Sequence, residues 1–341
     1  MTINLAWPLR SPDEMARQRA SLFPLAAFFR RIDATPLVPV CLEQGAQPIW
    51  CKLEFLNPSG SIKDRVAGYI LSKALRSGEL RRGATVVEAS SGSTSIALAM
   101  VCAQLGLRFI TVMPEGVSRE RTLMIRAYGG QVQFSRKEAG MLGALRQAAE
   151  LAASLGAFAP RQFENPDNAA AHRFGTAVEI FKQIPEGKVD AVVSGVGTGG
   201  TLAGLVDGCR DHGCGVTPVA ARPVQTRSAD VRSSTNEGGG FSDAECCSFS
   251  TRIPGVVDRL SKIYRPQDLL NLVEIDVGDE RALELTRRLI ALGFPVGPSS
   301  GLNLAAALEF QRRFPDARSI VTVFPDRTER YFSTDLFLDR Q

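Results

Sequence analysis

Short apolar runs alternate with longer amphipathic stretches along most of this 341-residue chain. Runs rich in β-branched residues are typical of buried parallel strands, and longer stretches with a periodic apolar face are typical of helices. In the first half the pattern predicts strands at Thr85–Glu88, Phe109–Met113 and Gln131–Phe134, with helices at Asp64–Ser77, Ser93–Leu105, Ser118–Tyr128 and Glu138–Leu155. In the second half it predicts strands at Val189–Ser194, Thr217–Ala221 and Ile320–Phe324, with helices between them. This alternation predicts an α/β protein with doubly wound parallel sheets.

Composition and charge narrow the classes of function. The chain is 44% hydrophobic and 22% charged, which suffices for two modest domains, and its formal net charge is only +4. Its basic residues are dispersed, so we expect no nucleic-acid partner, although an anionic substrate would be attracted. No apolar run approaches the roughly 20 residues of a membrane span, and the first residues do not resemble a secretory signal.

The cysteine and histidine residues favour a reducing compartment. They give little support for a metal site or for a Ser-His-Asp or Cys-His catalytic site. The seven cysteines show no paired framework, which favours the cytoplasm. Cys209, His212 and Cys214 could ligate a metal together with Cys246 and Cys247, but the spacing matches no standard zinc module, so a solvated helix end is favoured and no metal is predicted. The other histidine, His172, follows three alanines, and a packing or interdomain role is favoured.

One lysine follows a turn built from Asn, Pro, Ser and Gly. Lys63 lies in Ser61-Ile62-Lys63-Asp64-Arg65, just ahead of an amphipathic helix. A lysine confined at such a junction suits Schiff-base chemistry, which needs a neutral amine and therefore a lowered pKa. From this segment alone, an ordinary lysine at the start of a helix is an equally good interpretation.

Two loops supply anion-binding chemistry. After the run Val189–Ser194 comes Gly195-Val196-Gly197-Thr198-Gly199-Gly200-Thr201, whose backbone N–H groups and following helix N-terminus predict a phosphate cradle. The same residues satisfy the dinucleotide pattern G-x-G-x-x-G, but Thr217–Ala221 ends on Arg222 and not on an acid, so a phosphate without adenosine fits better. The loop Ser90-Ser91-Gly92-Ser93-Thr94-Ser95 predicts a carboxylate site, with a plain helix N-cap as the alternative.

A lysine, a phosphate cradle and a carboxylate loop together indicate pyridoxal 5'-phosphate acting on an amino acid. The chain resembles the cysteine synthase and cystathionine β-synthase family of fold-type II pyridoxal-phosphate enzymes, and within it most resembles the B-type cysteine synthases. The likeness runs from Ile32-Asp33-Ala34-Thr35-Pro36-Leu37 to Asp326-Arg327-Thr328-Glu329-Arg330-Tyr331-Phe332-Ser333-Thr334.

The resemblance assigns roles to individual residues. It implies that Lys63 forms the Schiff base with the cofactor and acts in catalysis. It implies cofactor contacts from Ser93, Gly197, Thr198, Gly199, Gly200, Thr201 and Ser299, with Ser299 on the pyridine nitrogen. It implies substrate-carboxylate contacts from Ser90, Ser91, Gly92, Thr94 and Gln162. A neutral serine on the ring nitrogen implies a moderate electron sink that favours β-elimination.

The implied reaction is β-replacement on an O-activated L-serine, either O-acetylserine or O-phosphoserine, through an aminoacrylate intermediate and most simply forming a C–S bond. The resemblance also implies two tryptophan synthase β-like domains, 1–160 and 161–341, with the segment before about residue 50 crossing over to the second and the cofactor in the cleft between them. It further implies a homodimer, a small amino-acid substrate and a small nucleophile.

Several departures from the family pattern leave alternatives open. Ser93 stands where the family usually has Asn. The segment Arg222–Arg252 does not follow the family pattern, and its Ser/Thr/Gly-rich part near Thr226–Thr251 is predicted to be a surface loop. Where a Gly-Ile-Gly element would approach the substrate, the chain has Ile253-Pro254-Gly255-Val256-Val257. A nitrogen or other nucleophile, as in 2,3-diaminopropionate-type synthases, or a cysteine desulfhydrase remains possible. A different class also remains: a regulatory or nicotinamide-nucleotide protein on a similar fold.

Overall fold

The computed structural model describes residues 34–42, 47–224, 252–256 and 261–337. The stretch Thr226–Thr251, Cys246 and Cys247 and the first two residues of the Ile32 motif lie outside these ranges. The strands are β1 Leu37–Val40, β2 Ile49–Lys52, β3 Thr85–Ala89, β4 Arg108–Pro114, β5 Gln131–Ser135, β6 Ala191–Gly195, β7 Thr217–Val224, β8 Val273–Gly278 and β9 Ile320–Val323. The α-helices are α1 Lys63–Ser77, α2 Ser93–Leu105, α3 Arg119–Ala127, α4 Gly140–Leu155, α5 Asp167–Ala171, α6 Ala177–Gln183, α7 Gly200–Asp211, α8 Asp279–Ala291 and α9 Pro298–Arg313.

The described strands form two sheets. The smaller sheet has the order β3-β4-β5 and is parallel, and Phe158 extends it beside β3 through the hydrogen bonds Val87 N–H to Phe158 O and Phe158 N–H to Thr85 O, each 2.9 Å. The larger sheet has the order β1-β2-β9-β6-β7-β8, in which only the β1–β2 pair is antiparallel. The predicted α/β class with parallel sheets is confirmed.

Alternate residues of the central strands pack on opposite faces of the larger sheet, which therefore needs helices on both sides. In β6, Val193 belongs to a core with α8 and α9, whereas Val192 belongs to a core with α6 and α7. The smaller sheet behaves in the same way, since Val86 packs with α1 and α2 and Val87 packs with α4. Each sheet is thus the middle of three layers.

The larger sheet includes strands from the beginning of the described chain. β2 pairs in parallel with β9, with Cys51 opposite Thr322, so the segment that contains β1 and β2 lies beside the second half of the chain. The domain bounds 1–160 and 161–341 stay a prediction. No helix among the described residues is long and apolar enough to cross a membrane.

A buried ion cluster ties the N-terminal strands to helices of both halves. Arg65 in α1 contacts Glu54 at 2.6 Å and Glu179 of α6 at 2.6 Å, and Lys52 of β2 contacts Glu179 at 2.8 Å. Thr35 donates a hydrogen bond to Glu54 at 2.7 Å. Removing one member would leave its partners charged and buried, which is costly. The cluster therefore holds α1, and with it the first residue Lys63, in a fixed position relative to β2 of the larger sheet.

Candidate active site

A cavity lies where the two sheets meet, at the carboxyl ends of their parallel strands, which is the expected place for a ligand in such folds. Every residue that the sequence assigned to the site lines this cavity, except Gly200. The lining ones are Lys63, Ser90, Ser91, Gly92, Ser93, Thr94, Gln162, Gly197, Thr198, Gly199, Thr201 and Ser299. Gly200 is buried behind them at the start of α7.

Lys63 is the first residue of α1, and its partly buried side chain faces the cavity. The turn before it is held from within, because Asp64 accepts hydrogen bonds from the backbone N–H of Ser59 at 2.6 Å and from the Ser59 hydroxyl. Gly60 has φ of 82°, a conformation that favours glycine. Burial lowers the pKa of Lys63, and the nearby Asp326 carboxylate opposes that effect. This environment favours the neutral amine that Schiff-base chemistry needs.

Asp326 is a cavity residue that the sequence reasoning missed as a site residue. Its Oδ2 accepts hydrogen bonds from the hydroxyls of Ser93, at 3.0 Å, and Tyr331, at 2.8 Å. Its Oδ1 is buried without a hydrogen-bond partner among the described residues. It is the single carboxylate among the described residues that line the cavity, where Lys63 and Arg121 are the cationic groups. A residue that follows β9 in the chain therefore contributes the carboxylate near Lys63.

Close packing requires glycine in the loop after β6. A Cβ on Gly197 would lie 2.2 Å from the backbone oxygen of Gly255, and a Cβ on Gly199, whose φ is 75°, would lie 2.3 Å from Cβ of Tyr264. Asn303 in α9 holds the start of the loop by accepting a hydrogen bond from Gly195 N–H at 2.7 Å. The loop therefore presents backbone rather than side chains to the cavity.

The same loop offers donors to an anion. Its cavity-lining part carries the hydroxyls of Thr198 and Thr201 and leads into the N-terminus of the 12-residue helix α7. Among the described residues that line this end of the cavity there is no carboxylate. Backbone N–H groups, hydroxyls and the positive end of a helix dipole together suit a phosphate.

The loop after β3 is organised around two side chains. The Ser90 hydroxyl accepts hydrogen bonds from Gly92 N–H at 3.0 Å and Ser95 N–H at 3.2 Å, so it shapes the loop from within. Thr94 donates to Gln162 Oε1 at 2.6 Å, and Gln162 donates through Nε2 to Ala89 O at 2.9 Å. The loop and Gln162 thus form one unit on the cavity wall.

Glu88 lies beneath this unit and is buried. Its carboxylate accepts hydrogen bonds from Ala89 N–H at 2.9 Å and Gln162 N–H at 3.1 Å. Burial raises the pKa of Glu88 to about 7, although these backbone hydrogen bonds act in the opposite direction. Glu88 therefore links the end of β3 to the backbone of Gln162.

Arg121 of α3 supports the same loop from the other side. A Cβ on Gly92 would lie 2.3 Å from Cδ of Arg121, and Arg121 Nη1 donates to Ser91 O at 3.2 Å. Its guanidinium carbon lies 5.1 Å from the ring centroid of Tyr331. Its Nε is buried without a hydrogen-bond partner among the residues described. The sequence reasoning missed Arg121 because only the fold brings α3 to this loop.

Ser299 occupies the first turn of α9, after Pro298, and is partly buried on the cavity wall. One turn further, Asn303 also lines the cavity and donates through Nδ2 to Val323 O at 2.8 Å. A serine at this position can offer a hydroxyl to a ring nitrogen without adding charge.

His172 is fully buried behind the phosphate-type loop, in a π-helical turn at His172–Thr176. Its Nδ1 lies 2.9 Å from the hydroxyl of Thr176, and its Nε2 lies 3.4 Å from that of Thr201. Burial lowers the pKa of His172 to about 3, with a smaller contribution from the Lys63 charge. The imidazole is therefore neutral and links α7 to the π-helical turn.

The possible metal ligand His212 makes other contacts. His212 stacks on Phe181 with ring centroids 4.2 Å apart, and its Nδ1 lies 2.8 Å from Gly208 O. Within the described ranges, no group of three His, Cys, Asp or Glu residues could hold a metal ion.

The residues present fit pyridoxal 5'-phosphate. The cavity joins an amine with a lowered pKa, an uncharged glycine-rich cradle whose close contacts exclude side chains, and a hydroxyl in the first turn of α9. These groups match the aldehyde, the phosphate and the pyridine ring of that cofactor, respectively. The hydroxyl-rich loop at Ser90–Thr94 lines another part of the same cavity, where a substrate carboxylate could bind.

Comparisons with known proteins agree with this chemistry. The family model described as "pyridoxal-phosphate dependent enzyme" matches residues 29–326. The chain is 36% identical over 309 residues to a cysteine synthase of Staphylococcus aureus, covering 90% of this chain and 95% of that relative. It is 37% identical over 312 residues to cysteine synthase B of Campylobacter jejuni, covering 90% and 96%.

The names of solved structures with similar folds specify different products. A mutant of the hydrogen sulfide-producing enzyme of Fusobacterium nucleatum has a TM-score of 0.80 and 30% identity, with 93% of each chain covered. An O-ureido-L-serine synthase has a TM-score of 0.77 and 34% identity, covering 94% of this chain and 97% of that one. The O-acetylserine dependent cystathionine β-synthase of Helicobacter pylori has a TM-score of 0.77 and 30% identity, covering 93% and 100%.

Proposed function

The chain belongs to the cysteine synthase family of pyridoxal-phosphate dependent enzymes, which catalyse β-replacement, and we propose that it acts on O-acetylserine and forms a C–S bond. The observation that carries this proposal is the convergence of Lys63, the glycine cradle and the Ser90–Thr94 loop on one cavity. O-Acetylserine is favoured because the name of one structural neighbour specifies it, and the curated relatives are cysteine synthases.

The cofactor, when bound, supplies an aldehyde that condenses with amines and a conjugated ring that accepts electrons from the α-carbon. Lys63, whose side chain lines the cavity, would hold the cofactor covalently. Once free, the same amine would take the α-proton of the substrate, because its lowered pKa favours the neutral form that can accept a proton. The Asp326 carboxylate in the same cavity stabilises the ammonium that results.

The other residues bind and orient. The second Nε2 hydrogen of Gln162 and the N–H groups of the loop receive the substrate carboxylate, which fixes the direction of the α-proton relative to Lys63. Thr94 donates its hydroxyl hydrogen to Gln162 Oε1 and so positions Gln162. The cradle Gly197–Thr201 would hold the phosphate. Ser299 would donate a hydrogen bond to the ring nitrogen without protonating it, which would favour loss of the β-substituent over side reactions at the α-carbon.

Incubation of the enzyme with O-acetylserine or O-phosphoserine, followed by a panel of nucleophiles and mass spectrometry, tests this proposal. We expect cysteine from O-acetylserine and sulfide. A preferred nitrogen or oxygen nucleophile would reassign the second half of the reaction and keep the first. If neither serine ester lost its β-substituent while the cofactor stayed covalently bound, β-replacement on these donors would be wrong.

A second candidate is sulfide release from cysteine, as in a desulfhydrase. It is favoured by the high structural similarity to a hydrogen sulfide-producing enzyme and by Ser93, since the resemblance places similar Ser-Ser-Gly-Ser-Thr loops in desulfhydrase-like relatives. Sulfide evolution from L-cysteine that is faster than cysteine synthesis would favour this function.

We also propose a cytoplasmic homodimer, as the family resemblance implies. Among the described residues, the five cysteines are free thiols, as in a reducing compartment. Exposed apolar side chains such as Leu123, Phe332 and Phe337 are available for a subunit contact. Light scattering coupled to size-exclusion chromatography tests the dimer.

A further inference from the structure

Asn168 joins two walls of the cavity. It lies in α5 and is 1% exposed. Its Nδ2 donates one hydrogen bond to the backbone oxygen of Gln162 and another to Oγ1 of Thr198, each at 2.8 Å. One amide group therefore bridges the residue on the carboxylate side and the residue in the phosphate cradle.

The orientation of this amide follows from what its partners can accept. The Gln162 carbonyl oxygen can only accept a hydrogen bond, so the nitrogen of the Asn168 amide, not its oxygen, has to face it. The same nitrogen is a donor without lone-pair capacity, so Thr198 Oγ1 accepts from it. The Gly200 N–H also points to Thr198 Oγ1 at 3.4 Å. With both of its lone pairs used, the Thr198 hydroxyl retains one hydrogen to donate.

The other end of the amide is confined by the start of α7. A Cβ on Gly200 would lie 2.1 Å from Asn168 Oδ1, so only glycine leaves room for the amide. This oxygen has no hydrogen-bond partner among the described residues. The contact explains why Gly200 belongs to the cradle without lining the cavity: it makes space for Asn168.

A second bridge runs parallel to the first. The Ser261 hydroxyl donates to the backbone oxygen of Thr198, and Lys262 N–H donates to Phe163 O at 2.8 Å. Residues 162–163 and Thr198 are therefore connected from two sides. Of these connections, Asn168 is the one that reaches the Thr198 side chain.

We propose that Asn168 is a positioning residue that directs the Thr198 hydroxyl hydrogen towards the cofactor phosphate. A phosphate can only accept hydrogen bonds from this cradle, so a threonine whose hydrogen is turned elsewhere would lose its contribution. The inference rests on the proposed function for the place of the phosphate. According to this proposal, Asn168 orients the Thr198 hydroxyl before the cofactor binds.

A double-mutant cycle tests this proposal in the full chain. The dissociation constant of pyridoxal phosphate and the ³¹P chemical shift of its bound phosphate are measured for wild type, Asn168→Ala, Thr198→Val and the double variant. We expect each single change to weaken binding about tenfold, on the scale of one hydrogen bond to a charged group. We expect the double variant to bind no more weakly than Thr198→Val, because Asn168 acts through Thr198.

The outcomes separate this proposal from the site assignment on which it rests. Additive losses in the double variant would overturn the role of Asn168 and leave a general packing effect. An unchanged affinity and ³¹P shift in Thr198→Val would instead remove the phosphate from this cradle and overturn the proposed site.

A near-isosteric change covers the case in which Asn168→Ala does not fold. Asn168→Asp keeps the shape of the side chain but, when ionised, has no hydrogen to donate. We expect it to bind the cofactor at least tenfold more weakly than wild type and to shift the ³¹P signal, with circular dichroism confirming the fold. Retention of wild-type affinity and ³¹P shift in this variant would overturn the proposal.

Discussion

The Ser93 hydroxyl donates its hydrogen to Oδ2 of Asp326, 3.0 Å away. A hydroxyl has a single hydrogen, so in this arrangement Ser93 offers only lone pairs to any other group in the cavity. The family resemblance implies a cofactor contact for Ser93, in the place of the family's usual Asn, and this contact stays a prediction. In the structure Ser93 is part of a hydrogen-bonded group with Asp326 and Tyr331.

The first prediction concerns this contact. An Asn at position 93 carries two N–H donors, so one can serve Asp326 while the second reaches the cofactor. We expect Ser93→Asn to keep the cofactor and to change the rate of the first half-reaction by about tenfold or less, the scale of one hydrogen bond. Stopped-flow absorbance with O-acetylserine measures this rate. Ser93→Ala is the control that removes the donor, and loss of the cofactor from Ser93→Asn would contradict the prediction.

The second prediction concerns Lys63. Because its amine is the partly buried one with the lowered pKa in the cavity, borohydride reduction and peptide mapping should place the cofactor label on Lys63. Lys63→Ala should bind the cofactor without a covalent bond and lose turnover. Lys73, which is exposed and paired with Asp167, is the comparison site. A label there or on Lys52 would show that the lysine was wrongly assigned.

The third prediction concerns Ser299. Ser299→Ala should lower the rate modestly, since it removes one hydrogen bond worth about 1 kcal/mol. Ser299→Asp should hold the ring nitrogen protonated and increase side reactions at the α-carbon, visible as a changed absorption spectrum with substrate. Equal and severe losses in both variants, accompanied by loss of the cofactor, would mean that Ser299 only packs in the wall.

The fourth prediction concerns Gly197. A methyl group there would lie 2.2 Å from Gly255 O, so the loop has to move, and we expect Gly197→Ala to weaken cofactor binding at least tenfold. Gly215→Ala is the matched control, because a Cβ at Gly215 meets nothing within 4 Å. Cofactor titration followed by fluorescence compares the two. Equal affinities would show that the loop does not contact the cofactor.

The fifth prediction concerns pH and stability. Burial lowers the pKa of His172 to about 3, below the usual value near 6.5, so the unfolded chain binds this proton at a higher pH than the folded one. The contribution of His172 to stability is therefore fully present above about pH 6.5 and is lost as the pH falls towards 3. Wild type should lose stability relative to His172→Gln by about 1 kcal/mol per pH unit within this window. Urea unfolding at several pH values measures the difference, and a constant difference would contradict a neutral buried imidazole.

Local sequence patterns were enough to predict much of the fold and part of the candidate site. The strands β3 and β4 contain continuous apolar runs, β5 alternates polar and apolar residues, and each is followed by a helix, so their predicted ranges differ from the observed ones by only a residue or so at each end. The loops at Ser90–Thr94 and Gly197–Thr201 could be found because their chemistry is contiguous in the sequence. The edge strand β8, Val273–Gly278, was missed because the charged residues Glu274 and Asp276 separate its apolar residues.

The rest of the site depends on contacts between distant parts of the chain. Ser93 and Asp326 are 233 positions apart, and Gly195 and Asn303 are 108 apart, so no local pattern could bring them together. Arg121 and Asn168 looked like ordinary helix residues in the sequence. Their partners, Ser91 O and Thr198 Oγ1, became visible only when the helices had been packed.

The position of β9 has a consequence for how the protein is made. β9 is the last described strand in chain order, yet it lies inside the larger sheet, between β2 and β6. On a ribosome, the strands on its two sides would emerge long before the strand that joins them, and each would keep an unpaired hydrogen-bonding edge in the meantime. Asp326 and Tyr331 follow β9 directly, so a nascent chain could complete this wall of the cavity only after β9 had been synthesised.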